Sequence, residues 1–274
     1  MESNTSRRES RLSQNEAIIA EVFHVKQFIN NSVPNTLGQP IGRPVPDWLP
    51  PPRPERVILE GVHCRLEPFD PARHARDLFD ANLLDTDHAT WTYSAVGPFE
   101  VFEDYMAWAE PAAKSSDPMY FAVIDKGTGK AAGTATYMRI DPPNGVIEVG
   151  TIKYSPLLQR TTAATEAMYL MAKYAFDLGY RRYEWKCDSH NEPSRRAAVR
   201  LGFQFEGLFR QSVVYHGRNR DTSWYSILDY EWPAIRAAHE AWLSPDNFTA
   251  DGRQKQSLGS LTAAAREKLA SAED

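Results

Sequence analysis

Three runs of strand-forming residues stand close together between positions 120 and 154, and their separators leave little freedom in how they are joined. The runs cover residues 120–124, 131–140 and 146–154, with Lys126-Gly-Thr-Gly129 and Asp141-Pro-Pro-Asn-Gly145 between them. Separators that short connect antiparallel neighbours, because a parallel crossover needs a dozen or more residues. An antiparallel meander is therefore the expected centre of the fold.

The flanking patterns extend it. Residues 57–61 and 62–69 alternate like strands, and Asp70-Pro71 opens a helix with Asp as N-cap and Pro in the first turn. Residues 99–110 show helical apolar spacing through Phe102, Met106 and Ala109. Downstream, a helix is expected over 162–178, closed by Gly179, then a strand over 182–188 with Tyr183, Trp185 and Cys187 on one face. A short helix from 192 to 201 ends at Gly202, and strands over 203–215 and 221–230 are joined by a polar turn at 216–220. A helix over 232–242 leads into a polar tail, where residues 261–272 have too few apolar side chains to hold a helix alone. The fold class that follows is α/β (α+β), a mixed, mostly antiparallel central sheet flanked by helices.

Eight of the 19 prolines lie between Pro34 and Pro54. Each fixes φ and removes a backbone donor, so this piece is neither helix nor central strand but an extended arm. Before it, Ile18, Ile19, Val22, Phe23, Val25, Phe28 and Ile29 form the stripe of a short amphipathic helix. That stripe must be covered by its own domain or by a neighbouring subunit, which leaves a homodimer through the N-terminal segment open. The expected division is 1–55 for helix and arm, 56–235 for the compact α/β domain, and 236–274 for a C-terminal helix and tail.

Composition removes several classes of function. A net charge of -5 without a basic block argues against a nucleic-acid partner. The two cysteines, Cys64 and Cys187, form no CxxC and suit a reducing compartment, so the expected location is cytoplasmic. The first 14 residues are polar, and no apolar run approaches the roughly 18 residues that span a bilayer, so neither a signal peptide nor a membrane anchor is expected. The seven histidines show no metal-ligand spacing, and no metal is expected.

The chemistry is expected where the strand 146–154 stops at Ser155-Pro156 and a helix starts in a run of small and hydroxylated residues. The unpaired N–H groups of a helix's first turn can cradle a phosphate. Thr161, Thr162 and Thr165 are equally ordinary capping residues, and from this segment alone both readings stand. With the surrounding elements, the segment resembles the acyl-CoA motif of the GNAT superfamily of N-acetyltransferases: Gln or Arg, two residues, Gly, one residue, then Gly or Ala. Gln159-Arg-Thr-Thr162-Ala-Ala164 keeps the leading Gln and closing Ala but carries Thr162 where Gly is usual.

A second segment resembles the branch that includes the ribosomal-protein N-terminal acetyltransferases, with Asn191-x-x-Ser194 ahead of a short helix and Gly202-Phe203-x-x-Glu206-Gly207 after it. The order of elements over 57–230, about two-thirds of the chain, is similar to that family's fold. The resemblance implies direct transfer of an acetyl group from acetyl-CoA to a primary amine of a small molecule or of a protein or peptide N-terminus. It implies cofactor contacts from Ile152, Gln159, Arg160, Thr161, Thr162, Ala163, Ala164, Thr165, Asn191 and Ser194. A non-catalytic acyl-CoA sensor and a dimerising scaffold are the alternatives.

Direct attack of an amine on a thioester needs a base, a group polarising the carbonyl and help for the departing thiolate. Glu148 is the candidate base, an isolated carboxylate in an apolar strand where burial would raise its pKa, unless it pairs with an arginine on a solvated face. Backbone N–H groups of residues 151–154 are the candidates for the carbonyl, and Ser194 for the thiolate, with Tyr154 as competitor. Cys187, on the apolar face of its strand, is read as core. The acceptor is expected beside residues 85–93, where Trp91 and Tyr93 clasp it and Asp85 and Asp87 either attract its ammonium or cap the loop. Trp224 and the turn residues Arg218, Arg220 and Asp221 stand near the same mouth, and His190 is read as a surface loop residue.

Overall fold

The computed structural model describes residues 32–273, in two units that divide after Leu49. In the first unit, β1 (Ser32–Pro34) and β2 (Pro40–Gly42) form an antiparallel ribbon with Pro34 opposite Pro40. Asn35 shapes its turn, the side-chain oxygen accepting the N–H groups of Leu37 and Gln39 at 2.9 Å each. The helix expected over residues 18–29, and with it the segment expected to dimerise, lies outside the described residues.

The second unit begins with the end of the arm, fixed by backbone and side-chain contacts. Pro51 and Pro54 are buried, Arg53 donates to the Ile140 carbonyl at 3.2 Å and Arg56 to that of Ser115 at 2.7 Å. The chain continues through β3 (Leu59–Glu60), β4 (Cys64–Pro68), α1 (Pro71–Asn82), a 3-10 turn (Ala89–Trp91) and α2 (Phe102–Lys114). The meander follows as β5 (Met119–Asp125), β6 (Lys130–Asp141) and β7 (Val146–Tyr154). Then come α3 (Thr162–Asp177), β8 (Arg182–Asp188), α4 (Glu192–Arg200), β9 (Gln204–Tyr215), β10 (Arg218–Leu228), α5 (Trp232–Leu243) and α6 (Leu258–Glu273).

The sheet has eight strands in the order β3-β4-β5-β6-β7-β8-β10-β9, with β7 and β8 parallel and every other neighbour antiparallel. Both faces are covered. Along β5, Met119, Phe121 and Val123 enter the larger core beneath α3, while Tyr120, Ala122 and Ile124 enter a second core beneath α1 and α2. The period-2 alternation of a strand thus divides one apolar run between two cores.

Helix ends follow the local chemistry. The Asp70 carboxylate accepts the Ala72 N–H with Pro71 in the first turn, and Gly179 and Gly202 adopt φ of 96° and 95° just past α3 and α4. One expectation is corrected. The hairpin turn is shorter than 216–220, since β10 already includes Arg218–Arg220. The terminal segment, whose sequence allows a helix that is marginal alone, makes α6, which tertiary contacts hold: Leu258 and Thr262 are buried and Arg266 donates to the Gly202 carbonyl.

Two irregularities in β7 make the site. Its ladder with β8 ends at the pair Val149 and Trp185, so beyond that point the two strands separate. Against β6, Thr134 pairs with Lys153 and Thr136 with Gly150, so Thr151 and Ile152 together oppose the single residue Ala135. This is a β-bulge, and Thr151 within it takes φ of 44°, a left-handed value costly for a β-branched residue.

Candidate active site

The gap between β7 and β8 opens into a cavity of about 330 Å³. Its walls come from residues 148–153 of β7, residues 185–188 of β8, the start of α4, Arg220 of β10 and the segment joining α1 to α2. Of the residues expected from sequence, Glu148, Ile152, Asn191, Ser194, Trp91, Tyr93 and Arg220 line it together.

Glu148 is 4% exposed. Lys186 Nζ lies 2.9 Å from its Oε2 and Arg139 Nε 3.8 Å, yet that oxygen accepts no aligned hydrogen bond. Burial pushes its pKa up, and the attraction of Lys186 and Arg139 only partly offsets this. The solvated-face pairing considered from sequence is thus replaced by a buried row, in which Lys186 also holds Glu184 at 2.6 Å and Arg182 joins Glu184 to Glu206.

At the opposite wall, Asn191 caps α4, its side-chain oxygen accepting the Ser194 N–H at 3.1 Å. That leaves the amide NH₂ as the donor of this side chain. Ser194 Oγ accepts the Trp185 indole N–H at 3.0 Å, and its hydroxyl is also within hydrogen-bonding reach of the Cys187 thiol. Asp188 is committed to structure, accepting from the His190 backbone at 2.9 Å and from Tyr215 at 2.8 Å. Burial favours its neutral form, but these donors outweigh burial and hold its pKa low. His190 hydrogen-bonds Asp188 and does not line the cavity.

Other expected residues stand elsewhere. Tyr154 points into the core, its hydroxyl 3.4 Å from the Ala164 carbonyl and its pKa pushed well up by burial, so it is not on the cavity wall. Trp224 lies behind the wall, stacked on Phe209 with the Lys186 ammonium 3.6 Å from its ring centroid. Asp85 caps the 3-10 turn through Thr90, and Asp87 accepts the Ala89 N–H. Asp221 is held by Gln211 and Asn219, and Arg218 is exposed in the hairpin. Cys187 faces the core as expected, although it also touches the cavity edge.

The strand-to-helix loop is built as a cradle that is partly self-capped. Thr161 Oγ1 accepts the Ala164 N–H at 3.1 Å, and Gln159 donates to the Tyr154 carbonyl at 2.8 Å. Helix geometry denies the first-turn N–H groups of Thr162 and Ala163 any partner four residues back. Thr162 does not carry the left-handed backbone of this loop, which falls on Arg160 at φ of 63°, so the threonine fits without strain. Thr165 is turned away, its hydroxyl bonded to Arg200 at 3.1 Å.

Sequence reading missed the cavity's most unusual group. Lys153 reaches over Trp91 with Nζ 3.4 Å from the ring centroid and donates to Thr90 Oγ1. Burial pulls its pKa down to about 7 against the raising influence of Asp85. It also missed Phe99, Tyr105 and Trp108, which complete an aromatic wall around the same chamber. Among the described residues no cluster of His, Cys, Asp and Glu is arranged to hold a metal, and no helix is long and apolar enough to cross a membrane.

The sequence profile of the Acetyltransferase (GNAT) domain matches residues 63–204. The chain belongs to the GNAT acetyltransferase family. A GCN5-related N-acetyltransferase from Brucella melitensis is 50% identical, with 79% of this chain and 99% of that one superposing at a TM-score of 0.78. A probable GNAT-family acetyltransferase from Chromobacterium violaceum is 39% identical over 72% of this chain and 98% of its own, at 0.66. Among curated relatives, the uncharacterized N-acetyltransferase p20 of Bacillus licheniformis is 34% identical over 117 residues, which are 41% of this chain and 63% of that protein. The ribosomal alpha-N-protein acetyltransferase RimL is 18% identical at a TM-score of 0.54, a likeness of fold alone.

Proposed function

We propose that the protein is an acetyl-CoA-dependent N-acetyltransferase that acts on a primary amine. The observation that carries this reading is the placement of Glu148, a buried carboxylate paired with Lys186, on a cavity wall where β7 and β8 part. The gap suits a pantetheine arm, because the edge of β7 beyond Val149 lacks a strand partner there and can pair with it as a strand would. The first turn of α3 suits the phosphates, and Ile152 and Asn191 the arm between.

In this reading Glu148 accepts the ammonium proton of the acceptor. The free amine then attacks the thioester carbonyl, the C–S bond breaks as the C–N bond forms, and the nitrogen's second proton passes to the departing thiolate, so that CoA leaves as the thiol. Ser194 donates its hydroxyl hydrogen bond to that sulfur. The raised pKa of Glu148 suits a base, since the stronger the base, the smaller the cost of taking the ammonium proton. Nothing in this cycle needs a covalent enzyme intermediate. The protein N-terminal acceptor suggested by the ribosomal-branch motif remains an alternative acceptor of the same chemistry.

Calorimetric titration with acetyl-CoA and desulfo-CoA, with thiol release over a panel of amines and short peptides, tests this. Binding with CoA release supports the transferase, and binding without release over the whole panel supports a sensor. Glu148→Gln is expected to lower kcat about 100-fold or more while acetyl-CoA affinity stays within about threefold. An unchanged kcat would remove Glu148 from the chemistry.

A further inference from the structure

Charges facing the cavity are unequally balanced. Lys186 sits between Glu148 and Glu184, and Asp188 is held by His190 and Tyr215. Arg220, from β10, also makes no ion pair among the described residues, hydrogen-bonds Thr222 and lies over Tyr215, on the β10 side of the cavity away from the aromatic wall. Lys153 makes no direct ion pair among the described residues. The acid nearest in its network, Asp85, is one hydroxyl away, with Thr90 Oγ1 between Lys153 Nζ and Asp85 Oδ2. The ammonium therefore faces the chamber walled by Trp91, Tyr93, Phe99, Tyr105 and Trp108 with nothing in direct contact to neutralise it.

An acceptor amine arrives as an ammonium, which this cation repels. An acceptor that brings its own anion converts that repulsion into a charge-assisted hydrogen bond in a partly dry site, where such bonds are strongest. We propose that Lys153 is an acceptor-binding cation, and that the acceptor is a small primary amine carrying a carboxylate on an aromatic or aliphatic body. The carboxylate docks on Nζ, the body lies against the aromatic wall, and the amine turns toward Glu148. The inference rests on the acetyl-transfer reading for the amine, whereas the carboxylate subsite is testable without it.

The test is titration of the full-length protein with hydrocinnamate and with its neutral counterpart hydrocinnamyl alcohol, near pH 6. The acid is expected to bind about tenfold or more tightly than the alcohol. Lys153→Met, which keeps the stem on Trp91, should abolish that preference and leave alcohol binding unchanged, whereas Lys153→Arg should retain it. Because the free ammonium titrates near 7, acid binding to the wild type should weaken as pH rises above that value, and binding to Lys153→Arg should not.

In turnover at fixed pH, phenylalanine should show a lower KM than phenylalaninamide, and Lys153→Met should raise only the former. Equal binding of acid and alcohol, a preference that survives in Lys153→Met, or one lost in Arg220→Gln instead, would overturn the proposal. If acetyl-CoA binds and amides are acetylated as readily as acids, the transferase reading stands and this inference fails. If the acid binds through Lys153 and no CoA thiol is ever released, the reverse holds.

Discussion

Lys186 has two buried carboxylates to serve, Glu148 at 2.9 Å and Glu184 at 2.6 Å. A cation shared in this way neutralises neither fully, which leaves burial free to keep the Glu148 pKa high. Lys186→Met removes that attraction, so the Glu148 pKa should rise further and the acid limb of the kcat/KM profile should move to higher pH. The same change leaves Glu148 with only Arg139 at 3.8 Å, while Glu184 keeps Arg182, and breaking the buried pair should cost roughly 3 kcal/mol by urea denaturation. A limb that stays in place would mean another group is titrating. Lys153 gives a second test, through stability. Its folded pKa of about 7 lies below the ordinary 10.5, so between those values the unfolded chain binds the extra proton. Stability should therefore rise with pH across that window in the wild type, and the rise should be smaller in Lys153→Met, as read by thermal melts at matched ionic strength. Glu148 was legible in the sequence because a lone acid in an apolar strand is conspicuous. Lys153 was not, because strict alternation puts residues five apart on opposite faces. The extra residue in the bulge at Thr151 and Ile152 returns it to the Glu148 side, and no pattern of residue types announces that bulge.

At the scale of elements, the meander was readable because its separators are dense in Gly, Pro, Asn and Asp, and α3 and α4 because each ends in a glycine. The aromatic wall was not, since the helical spacing over 99–110 singles out Phe102, Met106 and Ala109, and only the fold brings Phe99, Tyr105 and Trp108 to the same cavity as β7. Nor was α6, whose own sequence is a weak helix. Its stability comes from what it touches: Leu258 is fully buried, Thr262 donates to the Arg200 carbonyl at 3.1 Å, and Arg266 ties Gly202 and Glu231. Burying one leucine contributes about 1.5–3 kcal/mol and each hydrogen bond of a charged group a similar amount. Removing residues 257–274 should thus lower stability by roughly 3–6 kcal/mol, seen as an earlier urea midpoint. Glu166, on α3, plays the matching part at the other end of the sheet. Its carboxylate accepts the N–H groups of Val62, His63 and Cys64 at 2.8, 2.6 and 2.8 Å. Glu166→Ala leaves these three donors without that acceptor and opens the space that the carboxylate fills beside Gly61. A loss of about 3 kcal/mol or more is expected, against almost none for a surface glutamate such as Glu103.

The unit from residue 50 onward has two apolar cores, and the cavity touches both. Val149 and Trp185 belong to the larger, while Leu78 and Tyr105 belong to the core beneath α1 and α2. The cores share β5, whose alternate side chains enter one and then the other, so neither can dissolve without stripping one face of that strand. Melting should therefore be a single transition for this unit, with calorimetric and van't Hoff enthalpies equal. A ligand that binds only the folded state at about 100 times its Kd adds about 2.7 kcal/mol, which for a unit of this size moves Tm by roughly 5–10 °C. Acetyl-CoA should shift the whole transition by that amount, because the wall it would occupy on β7 is continuous with the strand order that carries both cores. Should a second, lower transition appear and stay fixed when acetyl-CoA is added, the layer formed by α1 and α2 would be melting independently. The acceptor wall would then be the softer half of the site, and an acceptor analogue rather than acetyl-CoA would raise that transition.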